Sequence, residues 1–179
     1  MNTKYPLRMR ILHWGMAVII LAMIWAGWVM ISPDEKTPSK FDFLYPWHKS
    51  FGLLILLAVL FRLVIRTTAS RPELPPGLAG WEKASAKVGH ALLYTLMIVV
   101  PCMGYAMSSS FTQSDGVTFF GIDVPELLPK NDARFAVFQL LHRYLAYTLL
   151  VLVALHVAGA LKHRFLDRNR ENDVLSKMW

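Results

Sequence analysis

The chain has 179 residues, 55% of them hydrophobic and 17% charged, with a mean hydropathy of +0.39 and a formal charge of +7. That is too apolar for an ordinary soluble domain, and the length suits one domain. The positive charge does not mark a nucleic-acid binder, because the basic residues gather at the ends of apolar stretches and no basic, aromatic-interleaved polar surface accompanies them.

The first apolar stretch runs from about Ile11 to Ile31, behind Lys4, Arg8 and Arg10. A cleavable signal has an apolar core of only ~7–15 residues. This one is longer and runs into Ser32-Pro33-Asp34-Glu35, so it reads as an uncleaved first transmembrane helix. The second runs from about Trp47 to Ile65, with Arg62 and Arg66 at its end. Pro72, Pro75, Pro76 and Gly77 then bar a continuous helix. The third runs from about Trp81 to Met107 and contains Pro101, which a membrane helix tolerates. The longest loop, Ser108 to Asn131, carries Phe111, Phe119 and Phe120 and is expected at the membrane interface or over a site. The fourth runs from Asp132 to about Leu166, followed by a charged tail. The lone Cys102 lies in the third stretch. It excludes an intramolecular disulfide, a multi-cysteine metal site and covalent haem attachment, and reads as a packing residue. No internal repeat or low-complexity segment is present.

The predicted fold is all-α: one integral membrane domain over residues 1–179, a four-helix bundle with spans at about 11–31, 47–65, 81–107 and 132–166. Four spans put both termini on one side. That side carries 13 basic residues against 6 on the other, so the positive-inside rule places both termini in the cytoplasm. Trp14, Trp47 and Trp81 sit near span ends, as interfacial anchors do.

All six histidines, His13, His48, His90, His142, His156 and His163, lie on or at the edges of these spans. One intramembrane histidine is readily a satisfied core residue, but six ask for a function. His142 and His156 are 14 residues apart, close to four helical turns, so they share a face ~21 Å apart along the axis. Span directions place His48 and His142 at the outer level and His13 and His156 at the inner level. Facing histidines in a dry bundle suit an iron porphyrin with two imidazole ligands. The residues four positions on, Ala17, Gly52, Ala146 and Ala160, are small and leave room for a flat macrocycle. The equivalents for His90 and His163 are Tyr94 and Asp167. Zinc is the weaker alternative, because the pairs are too far apart for one four-ligand site and no thiolate or carboxylate accompanies them. Depth alone leaves the inner partner open: His163 lies next to Arg164 and matches His13, three residues from Arg10, better than His156 does.

The motifs "ILHWGM", "HKSFGLLIL", "GHALLY", "LHRYLAY", "LHVAGALKHRF" and "VLSKM", in this order over nearly the whole chain, resemble the bacterial cytochrome b561 family. The resemblance implies a multi-pass protein of the bacterial inner membrane with two haem b groups. It implies axial ligands at His13, His48, His142 and His156, with His90 and His163 uncoordinated. It also implies electron exchange with ubiquinone and, in some members, oxidation of superoxide. Where many members carry adjacent histidines, this chain has His163-Arg164. His142 to His163 would be ~31 Å of helix, the whole hydrocarbon thickness, which also favours His156 as the inner ligand. His90 and His163 are candidates for quinone binding or proton handling or, equally, polar caps. Lys49, Arg143, Arg8 and Arg66 are candidates for pairing with haem carboxylates, against a snorkelling role.

The expected function is thus a di-haem oxidoreductase passing electrons between a small donor, such as superoxide, and membrane quinone. The alternative is a cytochrome b anchor subunit of a hydrogenase- or formate dehydrogenase-type complex. Compact loops favour the first. A haem-free helical scaffold is the reading from another class.

Overall fold

The computed structural model describes residues 4–32, 40–69 and 72–179. Pro33, Asp34, Glu35, Lys36 and Arg71, used above in the span and charge readings, lie outside the described residues. Four long helices make a membrane bundle: α1 (Leu7–Ile31), α2 (Tyr45–Thr68), α3 (Gly80–Ser110) and α4 (Asp132–Leu161). α1, α2 and α3 run past the apolar stretches read from the sequence, α4 stops at Leu161 where a π-type turn takes over, and local chemistry sets the ends. Pro6, whose missing N–H costs nothing at a helix start, precedes α1. A wide π-type turn, Lys40–Leu44, leads into α2, which has Pro46 in its first turn. Glu82 accepts from the Ala79 N–H at 2.9 Å at the start of α3. The Asn131 side chain accepts from the Arg134 N–H at 3.0 Å and caps α4. A second π-type turn, Lys162–Leu166, continues α4.

α1 packs on α2, α2 on α3, and α3 on α4. Met16, Ile20, Ile55, Val59, Leu96 and Leu149 form the buried core at mid-height. The outer faces stay apolar: Val18, Trp25, Phe61 and Leu155 are each about two-thirds exposed. Such continuous apolar exposure would drive aggregation in water and is the ordinary condition of a helix against lipid.

The long loop departs from an all-helical description. It forms a hairpin, β1 (Val117–Phe119) against β2 (Ile122–Val124), antiparallel with Phe119 opposite Ile122. The two turn residues, Phe120 (φ 50°) and Gly121 (φ 87°), both adopt the left-handed conformation that tight hairpin turns need. Glycine does this freely, whereas phenylalanine does it under strain. The Phe120 ring contacts Phe51 and Trp47, at 5.3 and 5.8 Å between centroids, and its N–H donates to Ser50 Oγ at 3.0 Å. Lys49 Nζ donates to the Gly116 carbonyl at 2.7 Å. The loop is therefore tied down on the first turns of α2, beside His48.

At the other end of the bundle the two ends of the chain meet. The Tyr5 N–H donates to the Lys177 carbonyl at 3.0 Å, and Trp14 Nε1 donates to the Met178 carbonyl at 2.9 Å. Trp179 packs on Trp14 at 4.9 Å. The tail is latched by Arg164 to Asp173, by Lys162 to Glu82, and by His163 Nδ1 to Asp167 at 2.8 Å.

Candidate functional site

The polar residues inside the bundle fall on two levels, and each helix contributes to both through positions 14 residues apart. These positions are His13 and Gly27 on α1, His48 and Arg62 on α2, His90 and Gly104 on α3, and His142 and His156 on α4. Fourteen residues return a helix to nearly the same face ~21 Å further along.

At one level His48 faces His142, with ring centroids 6.1 Å apart and ring planes at 75°. The helices that supply no histidine here supply glycine. A Cβ on Gly27 would lie 3.8 Å from His48 Cε1, and one on Gly104 would lie 3.0 Å from His142 Cε1 and 3.1 Å from its Nδ1. His142 Nδ1 donates to the Val100 carbonyl at 2.9 Å. That bond fixes the tautomer and leaves Nε2 with the free lone pair. His48 Nδ1 is buried and unpartnered.

At the other level His13 faces His156, again at 6.1 Å and with planes at 72°. Here the other helices supply polar side chains. Arg62 approaches His13 Nδ1 at 3.1 Å, and the His90 ring lies 5.4 Å from that of His156. Arg62 and Arg66 both flank the Tyr94 ring, at 5.8 and 5.4 Å. The Arg62 Nε and the Tyr94 hydroxyl are buried without hydrogen-bond partners. Among the described residues no carboxylate comes within ion-pair distance of Arg62 or Arg66.

Two facing imidazoles per level offer two nitrogen donors. A metal between them stands about 2 Å from each nitrogen; adding the two ring radii gives a centroid separation close to the observed one. Among the described residues, three or more histidine, cysteine or carboxylate side chains never converge as a metal cluster. The donor set therefore suits an ion whose remaining ligands come from a macrocycle, not a protein-only zinc site. The residues present fit a bis-imidazole porphyrin at the His48–His142 level; at the His13–His156 level the same two rings face each other, and His13 Nδ1 accepts from Arg62, a contact that has to open for His13 to ligate through Nε2.

The sequence-predicted residues are thus brought together as His48 with His142 and His13 with His156. His163 stands outside both levels, bound to Asp167. That hydrogen bond, with help from Lys162 and Asn172, holds the Asp167 carboxyl down at about 2. Lys49 is engaged with the Gly116 carbonyl, and Arg8 and Arg143 are exposed. Sequence reasoning missed Arg62, Gly27 and Gly104. The 14-residue spacing that singles out His142 and His156 also links His48 to Arg62, His13 to Gly27 and His90 to Gly104, and would have found all three.

The sequence model of the family described as prokaryotic cytochrome b561 matches residues 4–179. Three relatives align over nearly the full chain. One described as cytochrome b561 homolog 2, from Escherichia coli K12, is 31% identical over 93% of this chain and 86% of its own. One described as cytochrome b561 homolog 1, from the same strain, is 24% identical over 93% and 92%. One described as probable superoxide oxidase CybB, from Yersinia pestis, is 25% identical over 99% and 97%.

Proposed function

Because this chain belongs to the prokaryotic cytochrome b561 family, a family of membrane electron-transfer proteins that bind haem, we propose that it is a di-haem oxidoreductase of the bacterial inner membrane. It holds one haem b between His48 and His142 and another between His13 and His156, and it passes single electrons between a small donor and membrane quinone. Both chain ends face the cytoplasm on this reading, so the hairpin covers the outer level. The observation that carries it is the recurrence of one geometry, two facing imidazoles at 6.1 Å, at two levels of one bundle.

Haem held between these imidazoles would supply a one-electron couple. The protein does the rest. His142, locked by Val100, presents a fixed lone pair, and Gly27 and Gly104 leave space for a flat group beside the outer imidazoles. The mid-height core of Met16, Ile20, Ile55, Val59, Leu96 and Leu149 separates the levels with dry side chains. Dry packing keeps solvent reorganisation small and shields the electron from side reactions.

For superoxide as donor the balance is two superoxide ions oxidised to two dioxygen molecules while one quinone takes two electrons and two protons to become the quinol. The Yersinia relative's description supports that donor. On the outer surface Lys49 is tied to the hairpin and Lys130 pairs with Glu126 at 2.6 Å. Among the described residues Arg134 and Arg143 are exposed cations able to draw an anion in. Stopped-flow mixing with superoxide tests the reading: haem reduction within the mixing phase, followed by reoxidation on adding quinone, is expected. Haems that superoxide leaves oxidised, or that quinone leaves reduced, overturn the respective half.

A further inference from the structure

We propose that the groove between the start of α1 and Met178–Trp179 binds one anionic phospholipid, with the lipid's phosphate on Arg10. Leu7, Arg10, Ile11, Trp14 and Gly15 line one side of it, and Met178 and Trp179 the other, around an open volume of about 400 Å³. On α1 these positions recur every three or four residues, so they form one stripe along the helix. The two sides are tied together: Trp14 Nε1 donates to the Met178 carbonyl at 2.9 Å, and the Trp14 and Trp179 rings lie 4.9 Å apart. A Cβ on Gly15 would meet nothing within 4 Å, so the space beside position 15 is open.

The lining is apolar except at one point. Leu7 and Ile11 are about two-thirds exposed, on a helix that faces lipid, and the two tryptophans mark the headgroup level. Arg10 is the one charged residue of the lining. Its Nε is buried without a hydrogen-bond partner, and among the described residues no carboxylate lies within ion-pair distance of it. A guanidinium beside apolar walls is costly until an anion answers it. It only donates, in a fork that matches the oxygens of a phosphate. Exposed Lys4 and Arg8 precede it in the chain and add to the positive potential. A phospholipid brings phosphate and acyl chains in one molecule, whereas a free phosphate would leave the apolar walls uncovered. A net negative headgroup is favoured over a zwitterionic one, whose ammonium would meet like charge. The site needs neither haem nor a particular orientation of the chain in the membrane.

Native mass spectrometry of the purified full chain, titrated in detergent with phosphatidylglycerol or phosphatidylcholine of the same acyl chains, tests this. One phosphatidylglycerol is expected to bind about tenfold tighter than phosphatidylcholine, the scale of one charge-assisted contact. Arg10→Gln should remove that preference, and Arg10→Lys should keep part of it. Lys87→Gln takes a charge from an exposed position of α3 outside the groove and should leave the preference intact. Gly15→Leu fills the groove with no neighbour to displace and should weaken both lipids, while far-UV circular dichroism stays that of the parent; if that variant fails to fold, Trp179→Ala, which removes the opposite wall, replaces it. Equal affinity for the two lipids would overturn the proposal, as would a preference that persists in Arg10→Gln or falls as far in Lys87→Gln. So would a short-chain ubiquinone that displaces phosphatidylglycerol and binds Arg10→Gln as well as the parent, which would give the groove to quinone.

Discussion

Gly104 and His142 are in the tightest fit at either level: a Cβ at position 104 would stand 3.0 Å from His142 Cε1 and 3.1 Å from the Nδ1 that binds Val100. The imidazole has to yield to any side chain there, and it yields by weakening that hydrogen bond. Overpacking of this kind typically costs about 1–3 kcal/mol. Gly104→Ala is expected to lower the outer haem's occupancy or broaden its spectrum, and Gly104→Val to abolish its binding, with the inner haem retained. Haem content and low-temperature optical spectra of the two variants check this. Equal loss from both levels would show that Gly104 serves the bundle and not the site.

The two histidine pairs are separated by a layer of apolar side chains, so their losses should be independent. His48→Ala and His142→Ala should each remove one and the same redox transition, and His13→Ala and His156→Ala the other. Potentiometric titration of the four variants distinguishes the pairs. A shared loss between His48→Ala and His156→Ala would break the pairing.

His163 is bonded to Asp167, away from both levels. His163→Ala should therefore keep both haems and their low-spin spectra, while slowing quinone turnover if the tail borders the quinone path. A missing haem in this variant, together with an intact spectrum in His156→Ala, would transfer the inner ligand role to His163.

The His163–Asp167 contact also has a pH signature. The Asp167 carboxyl is held at about 2, below its ordinary 3.8, first by the His163 hydrogen bond. A group depressed in the folded state stabilises it fully above the unfolded value and loses that effect as pH falls through the folded one. The thermal stability of the parent should therefore exceed that of Asp167→Asn by a constant margin above about pH 4, and the margin should shrink toward pH 2. A margin that is flat across this window, or that grows toward acid, would assign the latch to Lys162–Glu82 and Arg164–Asp173 instead.

Much of this was legible in the residues. Four apolar stretches bounded by charge and proline gave the helices, because a bilayer demands long apolar segments whatever their packing. The face shared by His142 and His156 followed from helical pitch alone. Depth counting could not choose between His156 and His163, since flanking arginines snorkel over several residues; His163 lies in the π-type turn Lys162–Leu166, bonded to Asp167. The hairpin was hidden because Phe120 is a poor residue for a left-handed turn, and its ring contacts with Trp47 and Phe51 are tertiary. Arg62 was passed over as one more basic residue at a helix end. Its contact with His13 is tertiary, made by the packing of α2 on α1.

The central claim is that one chain holds two bis-histidine haems. The haem-to-protein ratio of the purified chain, measured by pyridine haemochrome against quantitative amino-acid analysis, tests it most directly. Two haems b per chain, both low-spin, are expected; a saturated preparation with one haem, or none, would contradict it.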